Sequence, residues 1–108
     1  MITTRKMSIK RDLEDQRFRV ELLAETFNCM ASGDLETAKI VLREYINGTV
    51  GFVTLGGALG KSPKSLMRML GPQGNPNARN LFDIIAYLQK AEGGRLQVKF
   101  VRDSSAAA

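Results

Sequence analysis

A run of cationic residues without acidic neighbours is the part of this sequence best suited to binding chemistry. No Asp or Glu occurs between Glu44 and Asp83, and this interval contains four cations. They are Lys61, Lys64, Arg68 and Arg79. Residues 49–108 carry eight Lys/Arg against three Asp/Glu, which accounts for the net charge of +5. A surface of one sign attracts a polyanion, so the pattern indicates an anion-binding face or, as the simpler alternative, a solvated basic face.

The residue types that most enzymes need are scarce in this chain. It contains one cysteine and no histidine, which excludes a disulfide framework, a histidine general base and nearly every zinc-ligand pattern. Cys29 lies in an apolar helical stretch beside Phe27 and Met30, which favours a small core residue over a redox centre. We therefore expect a protein without enzymatic activity, metal or other cofactor.

The segment VTLGGALGKS, residues 53–62, imitates a phosphate-binding loop. Its glycines and its Lys-Ser pair are the residue types that cradle the phosphates of a nucleotide. The spacing does not fit, because such a loop needs Gly five residues before Gly60 and the chain has Leu55 there. Pro63 also lies where the helix of a phosphate loop donates backbone N–H groups. A nucleotide-binding enzyme therefore remains a minor alternative.

The same region fits a helix-turn-helix with fewer conflicts. Ser62-Pro63 and Gly71-Pro72 mark the two ends of a short helix. Gly60 suits the turn, and Gly56 allows the preceding helix to approach closely. The apolar residues expected to lock the two helices together are Leu55, Leu59, Leu66 and Met69. The residues left on the outer side, where a recognition helix meets base edges and phosphates, are Lys61, Lys64, Ser65 and Arg68. A plain helical bundle with a basic face is the alternative.

Helix signals continue along the chain and predict a single domain, residues 1–108, of mainly α class. We predict a long amphipathic N-terminal helix at residues 8–32 and a helix-turn-helix core at residues 34–92. The apolar positions expected along the N-terminal helix are Ile9, Leu13, Val20, Leu23, Phe27 and Met30. The expected caps of the four core helices are Asp34, Thr49, Ser62 and Asn77 (or Asn75). The fifth helix carries an apolar stripe made of Leu81, Ile84, Ile85 and Leu88. Alternation in RLQVKFV predicts one C-terminal β-strand at residues 95–102, and SSAAA predicts a disordered tail at residues 103–108.

Chain length and the absence of targeting patterns indicate the oligomeric state and the cellular location to expect. The chain has 108 residues, and a core of that size is often supplemented by self-association. No apolar run approaches the roughly 18 residues of a membrane span. The N-terminus MITTRKMSIK lacks the apolar centre of a signal peptide. We expect a cytoplasmic protein with no membrane partner.

Four segments between about residue 12 and residue 101 make the chain resemble a known family. They are LEDQRF, SGDLETAKIVLREYI, LGGALGKSPKSLMRMLGPQGNP with its Gly-Asn-Pro loop, and LFDIIAYL followed by a short terminal strand. The chain resembles the helix-turn-helix antidote proteins of bacterial addiction modules, the HigA-like antitoxins. The resemblance implies a five-helix, phage-repressor-like helix-turn-helix domain that binds double-stranded operator DNA as a homodimer. It also implies repression of its own toxin-antitoxin operon and binding of a RelE-like toxin.

The resemblance also implies which residues face DNA. On the recognition helix these are Ser62, Lys64, Ser65 and Arg68. The phosphate contacts that follow are Gln73, Asn75, Asn77 and Arg79. Two positions depart from the family pattern, since Lys61 stands where the family usually has an apolar residue and Pro63 occupies the first recognition-helix position. The operator sequence is therefore not predicted.

The predicted C-terminal strand and N-terminal helix are the two segments expected to contact protein partners. Pairing residues 95–102 with a symmetry mate would satisfy one strand edge of each copy. It would bury the dimerisation residues, which are Leu96, Val98 and Phe100. A two-fold dimer implies a palindromic operator, and an intramolecular hairpin with the N-terminus is the alternative. The helix at residues 8–32 either docks a toxin or only covers the core. A stand-alone transcriptional regulator and a protein-only adaptor remain alternative functions.

Overall fold

The computed structural model describes residues 13–104, and within that part of the chain all regular secondary structure is α-helical. The five helices are α1 (Gln16–Ala31), α2 (Leu35–Gly48), α3 (Gly51–Leu59), α4 (Pro63–Met69) and α5 (Ala78–Ala91). The mainly α class predicted from the sequence is confirmed. Among these residues, no helix combines the length and apolar character that crossing a membrane requires.

Helix α1 begins later than the apolar periodicity predicts. The prediction placed it at residues 8–32, whereas α1 starts at Gln16, after Asp15 accepts a hydrogen bond from the backbone N–H of Arg17. Residues 8–12 lie outside the described residues, and the described residues before Gln16 are not helical. Leu13 instead turns into the core against Gly48, where a Cβ would overlap the Leu13 side chain. Helix α1 therefore begins at the Asp15 cap, and Leu13 lies outside it although its spacing predicted a helical position.

The inner face of α1 is also rotated from the predicted one. Its buried residues are Leu22, Leu23, Thr26 and Cys29. Val20, expected on the apolar face, is exposed. Cys29 is buried as predicted, and this burial raises the pKa of its thiol, which disfavours the reactive thiolate.

The caps of the core helices follow local chemistry, with one exception. Asp34 caps α2 by accepting the backbone N–H of Thr37 at 3.1 Å, as predicted. Thr49 does not cap α3, because its hydroxyl donates to the carbonyl oxygen of Tyr45 at 2.7 Å and α3 follows Val50 without a side-chain cap. The predicted role of Thr49 is therefore wrong, since the end of α2 already binds its hydroxyl.

One apolar core joins all five helices. Helix α1 packs on α2, α3 lies between α2 and α4, and α5 contacts both α1 and α3. The fully buried centre consists of Leu42, Ile46, Leu55, Leu66, Leu70, Ile84 and Leu88. The predicted stripe of α5 is buried as expected. The core thus fixes α4 through Leu66 and Leu70 and leaves the opposite side of this short helix in solvent.

The C-terminal segment forms no strand in the described single chain. Residues 95–102 contain no ladder, although their alternation predicted one. Leu96 is half-buried, and its backbone N–H donates to the side-chain oxygen of Gln89 at 2.8 Å. Val98 and Phe100 are 81% and 85% exposed, so they do not pack on α5 within this chain. A strand is stable only when an edge is paired. The N-terminal segment named as the alternative pairing partner lies outside the described residues. The predicted tail, residues 103–108, lies outside the described residues from residue 105 onward.

Candidate nucleic-acid interface

Helices α3 and α4 are joined by a tight turn at residues 60–62. Gly60 adopts φ +68°, a left-handed conformation that suits glycine. The backbone N–H of Lys61 then donates to the carbonyl oxygen of Gly56 at 2.9 Å. A Cβ on Gly56 would overlap the carbonyl oxygen of Lys61, so the turn folds directly over this glycine. The close approach predicted at Gly56 is therefore present, whereas Gly57 faces open space.

The segment that imitates a phosphate loop does not form one. Its glycines at positions 56 and 57 lie inside α3, and the backbone enters α4 only after Ser62. A phosphate loop instead follows a β-strand and wraps its free N–H groups around the phosphates. The geometry of residues 53–62 therefore gives no support to a nucleotide-binding enzyme.

The outer face of α4 is basic and exposed. Ser62 caps the helix by accepting the backbone N–H of Ser65 at 3.0 Å, and Pro63 occupies the first turn, as predicted. Opposite the buried Leu66, the exposed residues of the helix are Lys64, Ser65, Met67 and Arg68. Lys61 is partly exposed in the turn. Sequence reasoning overlooked Met67, although its position one turn after Lys64 signals the same face.

No carboxylate neutralises this face in the described part of the chain. The ion pairs there join Arg19 to Glu92, Lys39 to Glu36, and Arg79 to Asp83. Lys61, Lys64 and Arg68 take part in none of them. Three uncompensated cations on one turn and one helix create a positive potential that favours a polyanion.

The loop after α4 is bound to α2 by two cations that the sequence analysis missed. Lys39 is 2% exposed, and its Nζ donates to the carbonyl oxygens of Gly71 at 3.0 Å and Gly74 at 2.8 Å. Arg43 Nη1 donates to the carbonyl oxygen of Leu70 at 3.1 Å. The available signal was the position of Lys39 on the apolar face of α2, four residues after Leu35 and three before Leu42.

The predicted phosphate contacts occupy this loop and the first turn of α5, and all are exposed. Gln73 and Asn75 lie in the loop on either side of Gly74, whose carbonyl oxygen accepts from Lys39. Asn77 caps α5 by accepting the backbone N–H of Asn80 at 2.8 Å, so its side-chain oxygen is already used. Arg79 contacts Asp83 at 3.4 Å, one turn along α5, which offsets part of its charge. The loop that contains Gln73 and Asn75 thus contacts the end of α4 directly, whereas Arg79 is paired within α5.

A second polar cluster lies at the joined ends of α1 and α5. The Glu92 carboxylate accepts from Arg19 Nε at 2.7 Å, from the Tyr45 hydroxyl and from Gln16 Nε2 at 3.3 Å. These hydrogen bonds, the one from Arg19 above all, lower the pKa of Glu92, while burial raises the pKa of Tyr45. Arg19 Nη1 also donates to the carbonyl oxygen of Leu13 at 3.0 Å. The cluster thus joins α1, α2 and α5.

Comparison of the chain with protein-family models, with curated proteins and with solved structures gives no match. The likeness to helix-turn-helix antitoxins therefore rests on the four sequence segments alone. Function has to be inferred from the α3–α4 pair, its basic outer face and the loop at residues 70–77.

Proposed function

We propose that this protein binds duplex DNA and inserts α4 into the major groove as a recognition helix. The observation that carries the proposal is the exposed, uncompensated row of Lys64, Ser65 and Arg68 on a short helix docked by a three-residue turn. A recognition helix needs only a few side chains near its N-terminal end, because those are the side chains that contact base edges in the major groove. This would explain why α4 is only seven residues long, with Ser62-Pro63 at its start and Gly71-Pro72 just after its end.

The charge arrangement supports DNA over a protein partner. Cations on the turn and on α4 would neutralise phosphates, and Ser65 and Arg68 carry donors able to reach base edges. Met67 adds an exposed apolar group suited to a thymine methyl. Gln73 and Asn75 would contact the backbone beside the groove, where neutral amide groups position a protein without reading sequence. Asn77 and Arg79 are proposed as weaker contacts, because each already has a partner within α5.

The dimer proposal concerns residues 95–102. Val98 and Phe100, which share one face of the predicted strand with Leu96, expose large apolar side chains, and their backbone has no ladder partner within the described chain. Antiparallel pairing with the same segment of a second copy would satisfy one edge of each and shelter these side chains. Two recognition helices related by a dyad would then meet successive major grooves about 34 Å apart, on a palindromic operator.

The particular role proposed for such a regulator is that of an antitoxin, and its support is the resemblance to HigA-like proteins. In this role it represses its own operon and binds a RelE-like toxin. A regulator without a toxin has the same α4 face, so the two roles differ only in the partner. Co-expression with the product of an adjacent small gene, followed by size exclusion, separates them. A co-eluting complex supports the antitoxin role, and separate elution supports the stand-alone regulator.

The DNA-binding proposal is tested by fluorescence anisotropy with a duplex selected from a random pool. We expect the logarithm of the association constant to fall linearly with the logarithm of salt concentration as phosphate counterions are released. The double variant Lys64→Ala/Arg68→Ala should lose most of the affinity while its helical circular dichroism is unchanged. The matched control is Lys90→Ala/Arg95→Ala, which removes the same charge from exposed positions away from α4.

The control should retain base preference and most of the affinity. Equal losses in the two double variants would reduce the interaction to net charge and exclude α4 as the recognition helix. Absence of any duplex binding by the wild-type protein would favour the protein-only adaptor.

A further inference from the structure

The ammonium group of Lys39 occupies an unusual place for a lysine. It is almost completely buried, and it has a single carboxylate nearby, that of Glu36 at 3.3 Å on the exposed side of α2. Burying an ammonium is costly unless hydrogen bonds replace its water shell. Here the replacement comes from the carbonyl oxygens of Gly71 and Gly74, both in the loop that follows α4.

Burial at its two ends and backbone hydrogen bonds also hold this loop, since Leu70, Gly71 and Pro76 are buried whereas Gln73 and Asn75 between them are exposed. Gly71 N donates to the carbonyl oxygen of Arg68 at 3.1 Å, and Gly74 N donates to that of Gly71 at 3.0 Å. Gly74 packs so closely on the end of α4 that a Cβ there would overlap the carbonyl oxygens of Arg68 and Met69. From α2, Arg43 donates to the carbonyl oxygen of Leu70, the residue that caps the end of α4, and Lys39 donates to the loop carbonyl oxygens of Gly71 and Gly74. The loop thus folds back against the C-terminal end of α4, and side chains of α2 bind its backbone.

We propose that Lys39, assisted by Arg43, is a positioning residue for DNA binding that holds Gln73 and Asn75 beside the recognition helix. The proposal rests on the function proposed above for α4. Lys39 has no exposed surface with which to touch DNA, so it acts only through the backbone of the loop. Gln73 lies between the two carbonyls that Lys39 binds, and Asn75 directly follows the second.

A purely structural role for Lys39 and a positioning role predict different DNA binding by the Lys39→Met variant. If its bonds only stabilised the fold, the Lys39→Met variant would unfold more easily but bind DNA normally wherever it is folded. If Lys39 positions the loop, the folded variant would bind weakly, and removing Gln73 and Asn75 would then cost little more. Non-additivity between changes at separate sites is the readout that separates these roles.

The experiment is a double-mutant cycle by fluorescence anisotropy on the selected duplex. Its four members are wild type, Lys39→Met, Gln73→Ala/Asn75→Ala, and the combination, each measured well below its own melting temperature. We expect the loop substitutions to weaken binding about tenfold in the wild-type background and less than about twofold in the Lys39→Met background. Lys39→Arg, which keeps the charge and the donors, should recover part of the affinity.

A companion cycle guards against a Lys39→Met protein that does not fold. Arg43 is partly exposed, and among the described residues its side chain donates one hydrogen bond, to Leu70 O. Arg43→Met is therefore expected to fold and to show the same non-additivity in weaker form. Wild-type binding combined with fully additive losses in the folded variants would overturn the positioning role and leave the proposed function intact. Absence of duplex binding by the wild-type protein would overturn both.

Discussion

The guanidinium of Arg19 meets the carboxylate of Glu92 with Nε and Oε2 2.7 Å apart, although 73 residues separate them in the chain. This pair joins the first turns of α1 to the residue that ends α5. Tyr45 of α2 donates its hydroxyl to the same carboxylate. One acidic side chain therefore ties together three of the five described helices.

Substitution Glu92→Gln should lower the free energy of unfolding by about 2 kcal/mol, because it leaves the partly buried Arg19 without its counter-charge. Urea denaturation followed by circular dichroism measures the change. The control is Asp83→Asn, which breaks the exposed pair with Arg79 and should cost at most about 0.5 kcal/mol. Equal losses in the two variants would contradict a special role for the Glu92 cluster.

Stability should fall in acid because the pKa of Glu92 is lowered from its ordinary value of 4.5, first by the hydrogen bond from Arg19. The unfolded chain binds the proton at higher pH than the folded chain, so acid favours unfolding. The stabilisation is complete above pH 4.5 and is lost as the pH falls through the lower folded pKa. Thermal melting between pH 7 and pH 3 should show a shallower decline in Glu92→Gln.

Asp34 contributes to acid sensitivity with the same sign, since its hydrogen bonds from Thr37 also lower its pKa. Asp34→Asn is therefore the matched variant for the pH series. It should remove only the Asp34 part of the decline and leave the Glu92 part. A wild-type profile that survives unchanged in Glu92→Gln would show that other carboxylates account for the acid sensitivity.

Two adjacent glycines of α3 should respond oppositely to alanine. Gly56→Ala places a Cβ against the carbonyl oxygen of Lys61, and we expect a loss of about 1–3 kcal/mol in the free energy of unfolding together with weaker DNA binding. Gly57→Ala meets open space and should stabilise α3 by about 0.5–1 kcal/mol, because alanine is the better helix former. Thermal unfolding of both variants measures the two stability changes. A Gly56→Ala protein as stable as Gly57→Ala would mean that the turn is not packed on α3 as described.

Truncation after Gly94 should weaken the dimer and the DNA affinity together, because it removes the segment proposed to pair across the dyad. Light scattering measures the oligomeric state, and anisotropy measures the affinity. The control ends at Ser104 and should match the full chain in both. A protein truncated after Gly94 that stays fully dimeric would place the dimer interface elsewhere.

Much of the secondary structure could be predicted because its determinants are local. Asp34, Ser62 and Asn77 each cap a helix through a backbone N–H only three residues away. Gly60 takes the left-handed turn that its lack of a Cβ permits, and the apolar stripe of α5 follows from spacing alone. The exposed face of α4 follows from the same periodicity, so Lys64, Ser65 and Arg68 could be placed outward without a structure.

The tertiary structure decided the features that join distant residues. Periodicity predicted a helix from residue 8, whereas α1 begins at Gln16 and Leu13 lies before it, buried against Gly48. Lys39 carries a charge that by itself predicts exposure, and only the carbonyls of a loop more than thirty residues away make its burial possible. Helix caps and turns arise from neighbours along the chain, whereas the position of a buried charge depends on which distant groups the fold brings within hydrogen-bond distance.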